Sequence, residues 1–161
     1  MKKKRNLNKD AKIIIYTELN KIFNINELFR DTNKIIILYL LENNHSGHWV
    51  CLFKGKNCDF EFFDSYGMAE DGELKLLSPI KRRQFNEEKN RLTLLLDKYY
   101  VIYNNIQYQA EKTQTCGMFV SHRLANSFLD CYQYYNFMKS LCKKYKYTPD
   151  EIVANYVLNK L

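Results

Sequence analysis

The spacing of apolar residues along the chain divides it into segments of different period. From Ile13 to Phe29 the residues Ile14, Leu19, Ile22, Phe23, Ile25, Leu28 and Phe29 recur at roughly helical intervals, with Asn24 or Asn26 placed to interrupt or cap, and predict one or two short helices. The period then shortens. Residues 34–41, 48–53 and 59–64 are short runs rich in Ile, Val, Phe and Tyr, separated by turn-forming residues at Asn43-Asn44 and Gly55-Lys56-Asn57. They predict a small antiparallel meander.

Beyond Pro79 a helix is expected from about residue 86 to 99, with Leu92, Leu95 and Leu96 as its apolar stripe, followed by a strand over about 100–109. Residues 116–129 carry Met118, Phe119, Val120, Leu124, Phe128 and Leu129, a helical pattern that is apolar on more than one side and so predicts a buried helix. Another helix is expected over 132–144. Thr148-Pro149-Asp150-Glu151 opens the last one, with Thr as N-cap, Pro at the first helical position and Glu as capping-box partner. Residues 1–10 are polar and basic without apolar periodicity and are expected to form a mobile arm, leaving 11–161 as one domain.

Composition narrows the function classes. With 161 residues and 46% hydrophobic residues the chain can build one ordinary core. Its apolar runs, such as Ile35–Leu41, fall far short of the ~20 residues that span a bilayer, and no apolar stretch follows the basic start, so a soluble intracellular protein is expected. Five cysteines, an odd number without a C-x-x-C pair, predict reduced thiols, any of which can act as a nucleophile. The net charge of +7, with clusters at Lys2-Lys3-Lys4-Arg5 and Lys81-Arg82-Arg83, allows attraction to non-specific DNA or another polyanion.

A cysteine attacks a carbonyl as the thiolate, which a helix N-terminus or a neighbouring imidazolium stabilises. Cys116 stands at the start of the buried helix, after the polar loop 111–115 and before Gly117, a residue that lets a substrate chain approach closely. Of the three histidines, His122 lies six residues along the same helix, about 240° round, where it cannot meet Cys116. His45 sits in a turn. His48 begins a strand and precedes Trp49, a large group able to wall a site, and is the expected base. Asp64, where the next strand leaves the core, is placed to fix the imidazole's tautomer, and adjacent antiparallel strands can bring the two side by side. The backbone N–H of Cys116 supplies one oxyanion donor, and Gln107, Gln109 or Gln114 a second; an alternating strand would give Gln107 and Gln109 the same facing.

His48-Trp49, Asp64-Ser65-Tyr66-Gly67 and the run Gln109 to Phe119 (QAEKTQTCGMF) together resemble the clan of cysteine proteases that includes the adenovirus maturation protease and the SUMO proteases. The order His, Asp, Gln, Cys is similar to that clan's, and the segment after the third strand resembles proteases of large DNA viruses and virophages. The resemblance spans Ile35 to Leu129. It implies an α+β fold with a central, mainly antiparallel sheet flanked by helices, and cleavage after glycine in a narrow aromatic-walled groove bordered by Trp49. It assigns the oxyanion role to Gln109. Thr115 departs from the SUMO-protease pattern, which has Asp before the Cys-Gly. The implied role is processing of viral capsid or other structural precursors in the virion or host cytoplasm, by a monomer that requires no cofactor but is open to stimulation by DNA or a short peptide. The alternative enzyme is an isopeptidase acting on ubiquitin-like modifier conjugates. The alternative outside enzymes is a basic nucleic-acid- or capsid-binding protein on the same fold.

Simpler assignments exist for the same residues. A metal site from His45, His48, Cys51 and Cys58 is disfavoured because alternation puts His48 and Cys51 on opposite faces of a strand, so no metal is expected. Cys51, Cys58, Cys131 and Cys142 are expected to be packed thiols. The 13 Tyr and 10 Phe could make a stacking surface for nucleic acid, but most are expected in the core or the groove wall.

Overall fold

Five strands form one sheet in the sequential order β1 to β5 in the computed structural model of the chain, which describes residues 10–43 and 46–161. The Lys2–Arg5 cluster and His45 lie outside the described residues. The expected meander is present: β2 (Lys34–Asn43), β3 (Ser46–Lys54) and β4 (Phe60–Phe63) pair antiparallel. Both outer strands run differently. β1 (Ala11–Ile15) lies parallel to β2, and β5 (Val101–Tyr103) parallel to β4, so the sheet is mixed rather than mainly antiparallel.

Alternation along the strands divides the core. Ile35, Ile37, Val50, Leu52, Phe60 and Phe62 point to one side, where Leu74, Leu92 and Leu96 cover them. Cys51, Phe53 and Phe63 point to the other, beneath α3 (Cys116–Ala125), α4 (Cys131–Tyr145) and α5 (Pro149–Val157), which contribute Phe119, Val120, Tyr134, Met138 and Ile152. α5 begins as its sequence predicts: the Thr148 hydroxyl accepts from Glu151 N–H, and Glu151 accepts from Thr148 N–H at 2.8 Å.

Three expectations are corrected. The segment Ala11–Ile15, with three consecutive isoleucines, is a strand, as β-branched residues favour; 3-10 turns at Tyr16–Lys21 and Ile25–Glu27 follow it. The helix expected over 86–99 is only the short α2 (Arg91–Leu96), and a separate short helix, α1 (Pro79–Gln84), precedes it. Asn86 separates them with φ +55°, and the Arg82 guanidinium satisfies the connection by donating to the carbonyls of Glu87 and Glu88 and to Asn90 Oδ1. Arg82 is thereby occupied in the fold rather than free to meet a polyanion. The strand expected to run to residue 109 stops at Tyr103, because the Asn104 side chain takes over the pairing. Its Oδ1 accepts from Asp64 N–H at 3.0 Å and its Nδ2 donates to Asp64 C=O at 2.6 Å.

α3 is pinned to the sheet by a buried ion pair. Arg123, only 1% exposed, donates to Glu61 Oε2 on β4 at 2.7 Å and to the carbonyls of Asn126 and Leu129, and its guanidinium lies 4.7 Å and 4.6 Å from the ring centroids of Phe53 and Tyr134. Asn126 also ends α3 short of the expected Leu129, its side chain donating to His122 C=O at 2.8 Å. His122 is packed among Tyr134, Phe137 and Tyr156, with Nδ1 2.8 Å from the Tyr134 hydroxyl. Burial, helped by the charge of Arg123, lowers its pKa to about 4.

Two stability measurements follow from these contacts. Arg123→Leu leaves Glu61 buried without its partner and is expected to cost about 3–5 kcal/mol in urea unfolding, whereas replacing Glu61 and Arg123 together by Leu costs less than the single change. His122 binds a proton more readily unfolded than folded, so its contribution is intact above its unfolded pKa of about 6.5 and lost as pH falls towards 4. The stability difference between wild type and His122→Phe is therefore expected to shrink across that window, read by denaturation at a series of pH values.

Candidate active site

His48 and Asp64 meet on one face of the sheet. The β3–β4 register pairs Cys51 with Phe63 and Leu52 with Phe62, so its continuation sets Asp64 across from Val50, and His48, two residues on, is a diagonal neighbour on the same face. The imidazole spans the diagonal: His48 Nε2 lies 2.8 Å from Asp64 Oδ1. That oxygen also accepts from Tyr66 N–H at 2.7 Å, and the Tyr66 ring stacks on the imidazole at a centroid distance of 4.9 Å. Asp64 is fully buried and His48 is 4% exposed. With Nε2 turned to Asp64, Nδ1 is the nitrogen left for Cys116, whose thiol hydrogen-bonds the same imidazole.

Cys116 is the first residue of α3. Thr115 precedes it as N-cap but makes no capping bond, because its hydroxyl is directed to Asp150 Oδ1 at the start of α5. The first-turn N–H groups of α3 are therefore uncapped by Thr115, and their positive end faces the sulfur. Burial raises the Cys116 pKa, but the hydrogen bond from His48, the backbone N–H groups of Trp49 and Gly117 and the His48 charge outweigh it and bring the thiol below its ordinary value. Burial lowers the His48 pKa, but its hydrogen bonds to Asp64 and Cys116 and the charges of Asp64 and Glu73 lift it to about 10. Both shifts favour the thiolate–imidazolium form of the pair over the neutral form. The other four thiols, Cys51, Cys58, Cys131 and Cys142, are all pushed up by burial.

Gln109 faces the same cleft. It is 1% exposed and held at both ends of its amide: Oε1 accepts from the Ser65 hydroxyl at 2.6 Å, and Nε2 donates to Thr113 C=O at 2.8 Å. One Nε2 hydrogen remains for a ligand. Gln107 and Gln109 do not share the facing of a strand, since the segment is a loop; the exposed Gln107 donates to Gln109 C=O at 3.0 Å. Gln114 lines the cleft as an exposed residue. The cleft encloses about 640 Å³ between His48, Trp49, Gln109, Cys116 and Gly117, with Leu41, Met118 and Val157 completing its apolar wall. Trp49 and Gly117 are close, for a Cβ added to Gly117 would stand 3.6 Å from Trp49 Cδ1.

Several residues that shape the site had little signal in the sequence. Ser65 orients Gln109, and its C=O accepts from Tyr108 and Gln109 N–H at 2.8 Å and 3.0 Å. Asp150 gathers the loop before Cys116 by accepting from Ala110 N–H and from the Thr113 and Thr115 hydroxyls, which puts a carboxylate beside Thr115 from a distant helix. Glu73 is 2% exposed, with Oε1 3.7 Å from His48 Nε2, and only the fold brings it there.

The donor atoms of His48, Asp64 and Glu73 lie within 4.8 Å of one another. A zinc ion needs each donor at about 2.0–2.2 Å, which spaces the donors more than 3 Å apart. The 2.8 Å between His48 and Asp64 is a hydrogen-bond distance and suits a proton between them rather than a metal beside them. His48, Cys51 and Cys58 do not converge: Cys51 is in the core on the opposite face of β3, and the Cys58 thiol donates to Phe60 C=O at 3.1 Å.

Among the described residues no helix is long and apolar enough to cross a membrane. No family model matches the sequence. Among solved structures, the chain is similar to the crystal structure of the ASFV pS273R protease, with 18% identity and a TM-score of 0.35 over 73% of this chain, and it spans about half (52%) of that one. Among curated proteins, it is 35% identical over 152 residues to the uncharacterized protein V9 of Sputnik virophage, covering 92% of this chain and 86% of that one. The chain therefore belongs to the family of the Sputnik virophage protein V9.

Proposed function

We propose that the protein is a cysteine endopeptidase with Cys116 as nucleophile, His48 as acid and base, Asp64 as the group that orients His48, and Gln109 with the Cys116 N–H as oxyanion donors. The observation that carries this reading is the continuous line Asp64–His48–Cys116 at a helix N-terminus, opening into a cleft where Gln109 is already fixed. The thiolate attacks the carbonyl carbon, and the oxyanion gathers on the N–H of Cys116 and on Gln109 Nε2. His48 Nδ1–H then protonates the leaving amine, giving a thioester. A water molecule, deprotonated by His48, attacks that thioester and releases the acid while Cys116 leaves as thiolate.

Trp49 lying against the first turn of α3 narrows the approach to the sulfur and supports a glycine on the acyl side of the cut, as in a Gly-Gly site. Kinship with a virophage protein supports processing of viral capsid or other structural precursors as the biological role. Stimulation by DNA or a short peptide is a secondary proposal, tested by adding each to the cleavage assay.

The test is digestion of a proteome-derived peptide library with the cut sites read by mass spectrometry. Wild type is expected to cut after glycine in varied internal contexts and Cys116→Ala not at all; equal cutting by the alanine variant refutes the assignment. Cleavage confined to modifier conjugates would make the protein an isopeptidase. Gln109→Ala is expected to lower kcat by about 10²–10³ with little change in KM. Asp64→Asn is expected to slow turnover without abolishing it. Iodoacetamide at neutral pH should alkylate Cys116 well before Cys51, Cys58, Cys131 or Cys142, since only its thiol is shifted down.

A further inference from the structure

Glu73 lies in the 3-10 turn Gly72–Leu76, on the side of the sheet to which His48 and Asp64 project. It is 2% exposed, and both its carboxyl oxygens are buried without a partner, as is Asp64 Oδ2. Three orphaned oxygens at one point call for an explanation, since buried polar atoms are nearly always paired. They are all acceptors when ionised, so none of them can satisfy another. A donor is missing, and two like charges this close and this deep repel strongly. One proton shared between Glu73 and Asp64 Oδ2 engages two of the three oxygens and removes one of the two charges.

We propose that Glu73 is held as a neutral carboxylic acid whose O–H donates to Asp64 Oδ2, making it the positioning residue that fixes Asp64 behind His48. The inference rests on the reading of Cys116 and His48 as a catalytic pair only for its effect on turnover. The proton itself follows from the carboxyl geometry. With Oδ1 engaged by His48 and Tyr66 N–H, and Oδ2 by Glu73, the Asp64 carboxylate is bonded on both oxygens and cannot rotate. A single negative charge then faces the imidazolium, enough to hold it in place without making it too weak an acid to protonate the leaving amine.

The groups facing Glu73 act in the same sense or against it in an identifiable way. Burial raises its pKa most; the charge of His48 on β3 lowers it; Asp64 after β4 raises it by charge and hydrogen bonding, and Cys116 on α3 by charge. The result is about 8. Tyr66, the remaining titratable group at the site, is itself shifted up and stays neutral there. The neutral acid is therefore present below about pH 8 and lost above it. Its loss puts a second buried anion beside His48, which binds its proton more tightly and delivers it less readily.

The test uses two readouts on the full chain. In the infrared difference spectrum between wild type and Glu73→Gln, where the band of the buried Glu87 carboxyl cancels, the carbonyl band of a protonated carboxyl is expected at pH 7, in the Cys116→Ala background as well, and is expected to disappear as pH rises through about 8. No such band in the difference spectrum at pH 7 overturns the proposal. In peptide cleavage, kcat of wild type is expected to fall through the same pH range, while Glu73→Gln, whose amide reproduces the donor, carries its alkaline limb to higher pH, and Glu73→Leu loses about tenfold or more at pH 7. An alkaline limb that stays in place in Glu73→Gln also overturns it. A band that behaves as expected in a protein that cuts no peptide would sink the peptidase reading and leave the Glu73 proton standing.

Discussion

The exchange of a strand ladder for one side chain at Asp64 sets the rest of the site. Asn104 binds both the N–H and the C=O of Asp64, so β4 ends there with its backbone satisfied while the chain is free to turn. Each of the next residues then has a task. Tyr66 N–H returns to Asp64 Oδ1, Gly67 takes φ +79° against the backbone of Ile106, and the Ser65 carbonyl and hydroxyl hold residues 108 and 109. The His48–Asp64 pair and the Gln109 amide are thus both positioned by the same turn.

The protein places charge inside itself only where the surroundings answer it. Asp71 accepts from the hydroxyls of Tyr16 and Tyr39 and from the N–H and hydroxyl of Thr93, tying the first 3-10 turn, β2 and α2 together. Glu61 and Arg123 answer each other across the sheet and α3. His122 is kept neutral. Two carboxyls are exceptions: Glu87, with one oxygen bonded to Leu40 N–H and the other unpartnered, and Glu73, with both unpartnered, which stands next to His48.

The sequence showed which side chains gather at the cleft more clearly than it showed the architecture. His48, Asp64 and Cys116 could be placed because each sits at an element's end, where an apolar run meets a polar one, and such junctions are visible in one dimension. Gln109 needed a resemblance to separate it from Gln107, since the loop that distinguishes them exists only through Asn104 and Ser65. The parallel edge strands were hidden for a different reason: β1 is too short to show a period, and its register with β2 is a long-range choice. Glu73 and Asp150 carry no local signature at all. A glutamate in a turn and an aspartate in the first turn of a helix are ordinary surface residues until the fold brings one to His48 and the other to the loop before Cys116.

The hold of Asp150 on the 110–115 loop has a consequence in time. A polypeptide leaves the ribosome from its N-terminus, and the sheet with His48 and Asp64 can gather before the last helix is made. The loop that presents Cys116 is tied only when the first turn of α5 arrives, more than thirty residues after the nucleophile itself. A nascent chain that ends before Asp150 would carry His48, Asp64 and Cys116 with the 110–115 loop still untied.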